Sequence, residues 1–263
     1  MARISVIMGI YNCASTLVEA LDSLYAQTYQ DFKVILCEDG SSDDTYKVAQ
    51  QYSSHHDNII LLRNERNMGL NYTLNRCLKC ADTEYVARMD GDDISLPERF
   101  EKEISFLDAH PEYALVSCPM IYFDSNGDFR TGKAIPEPQK NNFINGETFC
   151  HAPVMIRREA YMAVGGYTVS KYLLRLEDQH LWLKFYQQGF KGYNLQQPLY
   201  KMRDDRNATR RRDFVTRRNE AYMRLLICRT FKLSWWHYPE SIILPLVKWM
   251  MPVRFYELLH RSK

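Results

Sequence analysis

A chain of 263 residues with 46% hydrophobic content has the length for one large domain or two small ones and enough apolar residues for a real core. Its net charge of +2 hides an asymmetry, acidic up to residue 200 and basic beyond it, so the two parts are expected to meet different partners. Seven cysteines without regular spacing argue against a disulfide framework and for a reduced, cytosolic protein. The opening apolar run is too short for a signal peptide, and the longest apolar stretch, 241–256, is cut by Pro245, Lys248, Pro252 and Arg254, short of the roughly 20 residues that span a bilayer.

The first apolar run, "ISVIMGI" at 4–10, predicts a strand, and "ASTLVEALDSLYAQ" at 14–27 a helix. The alternation repeats, with strands at 32–38, 58–64 and 84–90 and helices at 43–53 and 69–81. These strands are continuously apolar rather than alternating, which predicts a parallel sheet covered by helices on both faces. A helix follows at 97–110, with apolar spacing Phe100, Ile104, Phe106 and Leu107. Residues 112–130 then read as strand, turn at Asn126-Gly127, and strand. A looser region to about Thr148 leads to a strand and short helix at 149–167, closed by paired glycines. Glu177 and Asp178 open an amphipathic helix that Gly189 closes. From Asn207 the chain reads as helical and basic to Cys228, then as an aromatic tail broken by prolines.

Ligands of parallel sheets gather at the carboxyl ends of the strands. Those ends read Tyr11-Asn12, Glu38-Asp39-Gly40-Ser41, Arg63-Asn64 and Asp90-Gly91-Asp92-Asp93, so the unusual polar residues fall along one edge. Aspartates at alternate positions can face one hard divalent cation, Mg2+ or Mn2+, with substrate phosphates completing its shell. A solvated acidic turn, or a helix start near Asp93, accounts for the same residues. Asp39, followed by small polar residues and a helix, suits hydrogen bonds from a base or ribose, while Ser42 or Asp43 caps the helix. Cys77 and Cys80 form a lone C-x-x-C in helical sequence and read as packing residues rather than a zinc site.

Together these segments resemble glycosyltransferase family 2, the inverting enzymes of GT-A fold that use nucleotide-sugar donors. The resemblance rests on "ISVIMGIYN", "EDGSSDDT", "NMGLNYTLN", "YVARMDGDDISLPERF" and "EDQHLWLKF", in family order over about residues 3–203. It implies a Rossmann-like, mostly parallel α/β sheet flanked by helices, with 1–203 as the catalytic domain and 204–263 as a helical extension packed on it. It further implies that Ile10, Tyr11, Glu38, Asp39 and Asn67 meet the nucleotide, with Asp39 reading a uracil. Asp90, Gly91 and Asp92 would flank the diphosphate, Asp92 holding a divalent metal. Arg88 either neutralises phosphate or pairs with a loop carboxylate. Asp93 either orders the loop or touches sugar, and Glu177 and His151 lie on the acceptor side, the latter with a satisfied core histidine as its alternative. Asp178 is implied as the base that removes the acceptor proton while the metal neutralises the leaving diphosphate. Two residues depart from the family pattern: Glu38 stands where Asp is common, and Gly9 where Thr or Pro is usual.

His180 has a suitable pKa for a base, but on a helix it should point away from Asp178. Asp204 and Asp205 read as a solvated turn. The sequon Asn207-Ala208-Thr209 is expected to cap a helix and stay unmodified. The basic run after it lacks any nucleic-acid module, and with the aromatic tail it suits an anionic membrane surface, an ordinary solvated helix being the alternative. The expectation is an inverting, metal-dependent enzyme at the cytoplasmic face of the membrane, moving a hexose or N-acetylhexosamine from a UDP-sugar to a lipid-linked or surface-glycan acceptor. Its rivals are a catalytically inactive nucleotide-sugar or membrane-binding relative, a sugar nucleotidyltransferase, for which the Gly-rich phosphate loop is missing, and a glycosidase.

Overall fold

The computed structural model describes residues 2–204 and 214–250. Three βα units open the chain: β1 (Ile4–Ile10) and α1 (Leu17–Tyr25), β2 (Phe32–Glu38) and α2 (Thr45–Ser53), β3 (Ile59–Arg63) and α3 (Leu70–Cys80). They lead to β4 (Tyr85–Arg88), which ends in the acidic loop. The continuous apolar run of β1 has its reason in two covered faces. Ile4, Val6 and Met8 pack in one cluster with Leu17, Leu21 and Leu24 of α1, and Ile7 packs in the other with Leu74 and Cys77 of α3. Parallel pairing sets Ile10 beside Glu38 and Glu38 beside Arg63, so the carboxyl ends of β1, β2 and β3 are level.

The rest of the chain runs β5 (Ile94–Ser95), α4 (Arg99–Ala109), β6 (Tyr113–Ser117), β7 (Met120–Asp124), β8 (Gly127–Thr131), α5 (Lys140–Phe143), β9 (Met155–Arg157) and α6 (Arg158–Ala163). Then come α7 (Glu177–Gln187), β10 (Lys191–Asn194), β11 (Tyr200–Arg203), α8 (Phe214–Phe231) and α9 (His237–Met250). The main sheet is seven-stranded, in the order β10-β6-β9-β4-β1-β2-β3. Its pairs are parallel except at β9, which runs opposite to both β4 and β6.

The expected single strand at 112–125 is split. Pro119 has no N–H to give a ladder, and the chain leaves the main sheet there to enter a second, four-stranded sheet, β5-β11-β7-β8. The expected proline break in the tail is also corrected, since α9 continues through Pro245. That proline lies on the buried side, and Ser241 one turn earlier donates its hydroxyl to His237 O at 2.5 Å. α8 places Met223, Ile227 and Cys228 in the same core cluster as Trp182 and Phe149. Arg224 of α8 pairs with Glu240 of α9 at 3.0 Å, and Glu220 with Lys248 at 2.6 Å.

All seven cysteines are free, and Cys77 sits in the core with its thiol against Met8 O, as packing residues do. The Asp204 N–H bonds Phe123 O at 3.0 Å, so it extends the β11 ladder rather than lying in a loose turn. Asp205, the sequon at Asn207 and the tail beyond 250 lie outside the described residues. Among the described residues no helix is long and apolar enough to cross a membrane.

Candidate active site

A cleft of about 300 Å³ opens at the level strand ends, between Ile10, Tyr11 and Asn12 on one side and Asp90, Gly91 and Asp92 on the other. Its first wall is a turn stitched to its neighbour. Asn12 adopts φ 48°, a left-handed conformation that Asn tolerates, and its side-chain carbonyl accepts the Ser42 N–H at 2.9 Å. Its own N–H donates to Ser41 Oγ at 3.0 Å, Cys13 N–H to Thr45 Oγ1 at 2.8 Å and Ala14 N–H to Asp43 at 3.1 Å. The "GSSDDT" segment thus holds the β1 turn as well as leading into α2, and Tyr11 is left 47% exposed at the rim.

Asp39 stands beside this wall, buried, with its carboxylate accepting Asn64 Nδ2 at 2.6 Å, Met68 N at 2.8 Å and Gly69 N at 2.9 Å. It fixes the β3–α3 loop, in which exposed Asn67 accepts the Gly69 N–H at 3.1 Å. Gly40, at φ +68°, lets that loop lie flat, since a Cβ there would stand 2.5 Å from the Arg66 backbone. The departure at Gly9 is a close approach of the same kind, a Cβ meeting Leu70 and Thr73 of α3 at 3.1 and 3.2 Å. Glu38 is fully buried and does not line the cleft. It accepts the Ser41 N–H and pairs with Arg63 at 3.2 Å, so the expectation that it meets the nucleotide is replaced by a role in shaping the turn.

The opposite wall is the acidic loop. Gly91 packs where a Cβ would meet Cys13 Sγ at 2.8 Å and Ile10 at 3.0 Å, which brings the loop down onto the β1 turn. Arg88 pairs with Asp90 beneath the cleft, the loop-carboxylate alternative for this residue. Asp92 is exposed at the cleft, and its pKa is raised, first by the protein around it and then by the charge of Asp90. Two carboxylate oxygen donors whose mutual repulsion a cation would relieve fit a hard divalent metal completed by phosphate oxygens. Among the described residues no group of three or more His, Cys, Asp or Glu is placed to hold one by itself.

Asp93 turns the other way. It is buried, accepts the Arg203 N–H at 2.8 Å and a hydrogen bond from Tyr200, and is pushed up to about 8 by burial and by Asp90 and Asp92. The expected sugar or acceptor contact is therefore corrected, and Asp93 ties the loop to β11. Two arginines in the same assembly were not singled out from sequence. Arg203 lines the cleft, its Nε donating to Asp92 O at 2.9 Å and its Nη2 to Glu19 at 2.5 Å. Arg99 is fully buried, pairs with Glu103 at 3.1 Å and donates to Arg88 O at 2.9 Å. Its place in "LPERF" carried only a helix signal.

Glu177 and Asp178 form the first turn of α7, where Asp178 accepts the Gln179 N–H at 2.8 Å. Burial raises both carboxyl groups, and for Glu177 the neighbouring Asp178 charge adds to it, while Arg88 acts in the opposite sense on each. His151 bonds Tyr167 Oη at 2.7 Å, and Tyr167 meets Tyr161 Oη at 3.0 Å. Burial and the Arg88 charge keep the His151 imidazole neutral, so its satisfied-core alternative is met through Tyr167. His180 is pushed down to about 4 by burial and by Lys184.

Residues 5–165 match the family described as Glycosyl transferase family 2. EpsE of Bacillus subtilis (strain 168) is 40% identical over 263 residues, 99% of this chain and 94% of that one. A UDP-Gal:alpha-D-GlcNAc-diphosphoundecaprenol beta-1,3-galactosyltransferase of Escherichia coli is 33% identical over 221 residues, 80% of this chain and 77% of that one. Among solved structures, S. aureus TarS 1-349 in complex with UDP-GlcNAc aligns with a TM-score of 0.71 at 20% identity, covering 94% of this chain and 72% of that one, a likeness of fold.

Proposed function

The chain belongs to glycosyl transferase family 2, and from that premise we propose that it transfers a hexose or N-acetylhexosamine, with inversion, from a UDP-sugar to a hydroxyl of a lipid-linked or surface-glycan acceptor. The observation that carries this reading is the cleft at the level strand ends, lined by Ile10 and Tyr11 from the end of β1 and by Asp90, Gly91 and Asp92 from the end of β4. The donor lies with its uracil toward Tyr11 and Asp39 and its diphosphate along Asp90, Gly91 and Asp92. Asp92 would hold a divalent metal, whose chemistry there would be charge neutralisation of the departing UDP. Asp178 takes the acceptor proton while the hydroxyl attacks in line, and Glu177 shapes the acceptor side. The similar E. coli enzyme, named for a UDP-Gal donor and a diphosphoundecaprenol-linked acceptor, supports both substrate classes.

A panel of UDP- and GDP-sugars, assayed with Mn2+ or Mg2+ for release of the nucleoside diphosphate, tests the reading. A UDP-sugar is expected to be turned over with metal dependence and to give a product of inverted anomeric configuration. Turnover of GDP-sugars alone, or retention, would reject it.

The C-terminal part suits the inner face of the cell membrane. α9 turns Ser241 and Pro245 inward and exposes Ile242, Leu246 and Trp249 along one stripe and Ile243, Val247 and Met250 beside it, with Trp235 and Trp236 just ahead of the helix and Lys232 and Arg229 close by. Apolar side chains flanked by tryptophan and cations are the composition of a helix lying in the interface of an anionic bilayer. Flotation with phosphatidylglycerol-containing vesicles should recover the protein, and the double change Trp235→Ser with Trp249→Ser should weaken binding about tenfold. Equal flotation of the two proteins would remove α9 as the anchor.

A further inference from the structure

The segment that leads into α7 turns apolar side chains outward. Val169 is 60% exposed, Tyr172 41% and Leu174 62%, while the intervening Leu173 is buried in the same core cluster as Trp182. The loop is held in this shape. Asn71 Nδ2 donates to Thr168 O at 2.9 Å and Asn219 Nδ2 of α8 to Lys171 O at 3.1 Å, and turns close from Leu173 N to Ser170 O and from Leu176 N to Leu173 O at 3.1 and 3.0 Å. Residues 166–176 contain no carboxylate, and their charges are Lys171 and Arg175.

A stripe on α8 joins this loop to α9. Phe214, Arg218 and Tyr222 are spaced by four and share one helix face. Tyr222 lies 5.6 Å from the Tyr172 ring, the Arg218 guanidinium stands 5.1 Å over that ring, and Phe214 meets Trp249 of α9 edge-on at 5.5 Å. The exposed apolar face of α9 thus continues across α8 to the loop before Glu177. A contiguous apolar face that crosses three elements marks an interaction site rather than a solvated surface. Cations without carboxylates in the loop call for an anionic partner, and tyrosine and tryptophan rings among them suit the headgroup layer of a bilayer.

We propose that the loop 169–175 is a second membrane-contacting element, a lip that seats Val169, Tyr172 and Leu174 in the headgroup layer of an anionic bilayer beside α9. This rests on the reading of α9 as a helix lying in that interface. Leu174 precedes Asp178 by four residues, so their Cα atoms are at most about 14 Å apart. The lip therefore brings the first turn of α7 to the bilayer surface, where it favours an acceptor hydroxyl held close to its lipid over one far out on a free glycan.

The test is tryptophan fluorescence of the full chain mixed with vesicles of phosphatidylglycerol and brominated phosphatidylcholine. In Leu174→Trp, the emission added over that of the parent should shift to the blue and be quenched by the brominated lipid. The double change Val169→Ser with Leu174→Ser, at two exposed positions, should keep the melting temperature and weaken flotation with phosphatidylglycerol vesicles about tenfold. Added emission that stays unshifted and unquenched while the parent floats overturns the lip and leaves α9 as the anchor. A parent chain that does not float overturns both readings. A dimer seen by light scattering without vesicles, and dissolved by the double serine change, would assign the face to a second copy of the chain and likewise overturn the proposal.

Discussion

Asp178→Asn is expected to lower kcat for sugar transfer by about 10³-fold while leaving the donor KM within about threefold. The amide has the shape of the carboxylate and can still accept the Gln179 N–H, so the first turn of α7 keeps its hydrogen bond. What is lost is the capacity to take a proton from the acceptor hydroxyl, which matters only in the transition state. The proposed donor contacts, Tyr11, Asp90 and Asp92, line the cleft at the strand ends and keep their side chains in this variant. Stability should not fall. The Asp178 carboxyl is raised above its unfolded value by burial, so its contribution to stability is greatest below the unfolded pKa and declines as pH rises through the folded one. Replacing it with a neutral amide removes that decline, and the melting temperature of the variant at pH 7 should equal or exceed that of the parent. A variant with parental kcat would transfer the role of base elsewhere, Glu177 being the adjacent carboxylate.

The strand ends were legible because parallel strands buried on both faces leave no other place for polar residues to collect, and Tyr11, Asp90, Gly91 and Asp92 meet in one cleft as their position at those ends implies. What the sequence hid is where a charged side chain turns. Asp92 and Asp93 are neighbours of identical chemistry, yet one opens to the cleft and the other is buried under it, because the partner of Asp93 is the Arg203 N–H, 110 residues away. Glu38 and Asp39 are both buried and differ only in what they hold, one gripping the Ser41 turn and the other the Met68-Gly69 loop. The direction of β9 and the existence of the second sheet were likewise outside local pattern. Short strands of three to five residues such as Met155–Arg157 and Met120–Asp124 carry too few residues to show a period, and only pairing across the chain defines them.

That division of the acidic loop sets the second large effect. Asp92→Ala is expected to reduce metal-dependent transfer by about 10³-fold and to abolish the response of UDP affinity to Mn2+, because several kcal/mol of charge stabilisation on the leaving diphosphate pass through one carboxylate. Asp90 cannot replace it in full, being already paired with Arg88. Removing Asp92 also takes away a negative charge that raises Asp93, so the fold at the loop should be retained or slightly firmer at neutral pH. Asp93→Asn should behave in the opposite way. Its carboxyl, pushed up to about 8, is largely protonated at pH 7, so the amide replaces it at little electrostatic cost and the Mn2+ response persists. Calorimetry of UDP with and without Mn2+, run on both variants, distinguishes the two aspartates. An Asp92→Ala protein that still binds UDP more tightly with Mn2+, or an Asp93→Asn protein that does not, would reverse the assignment of which carboxylate faces the metal.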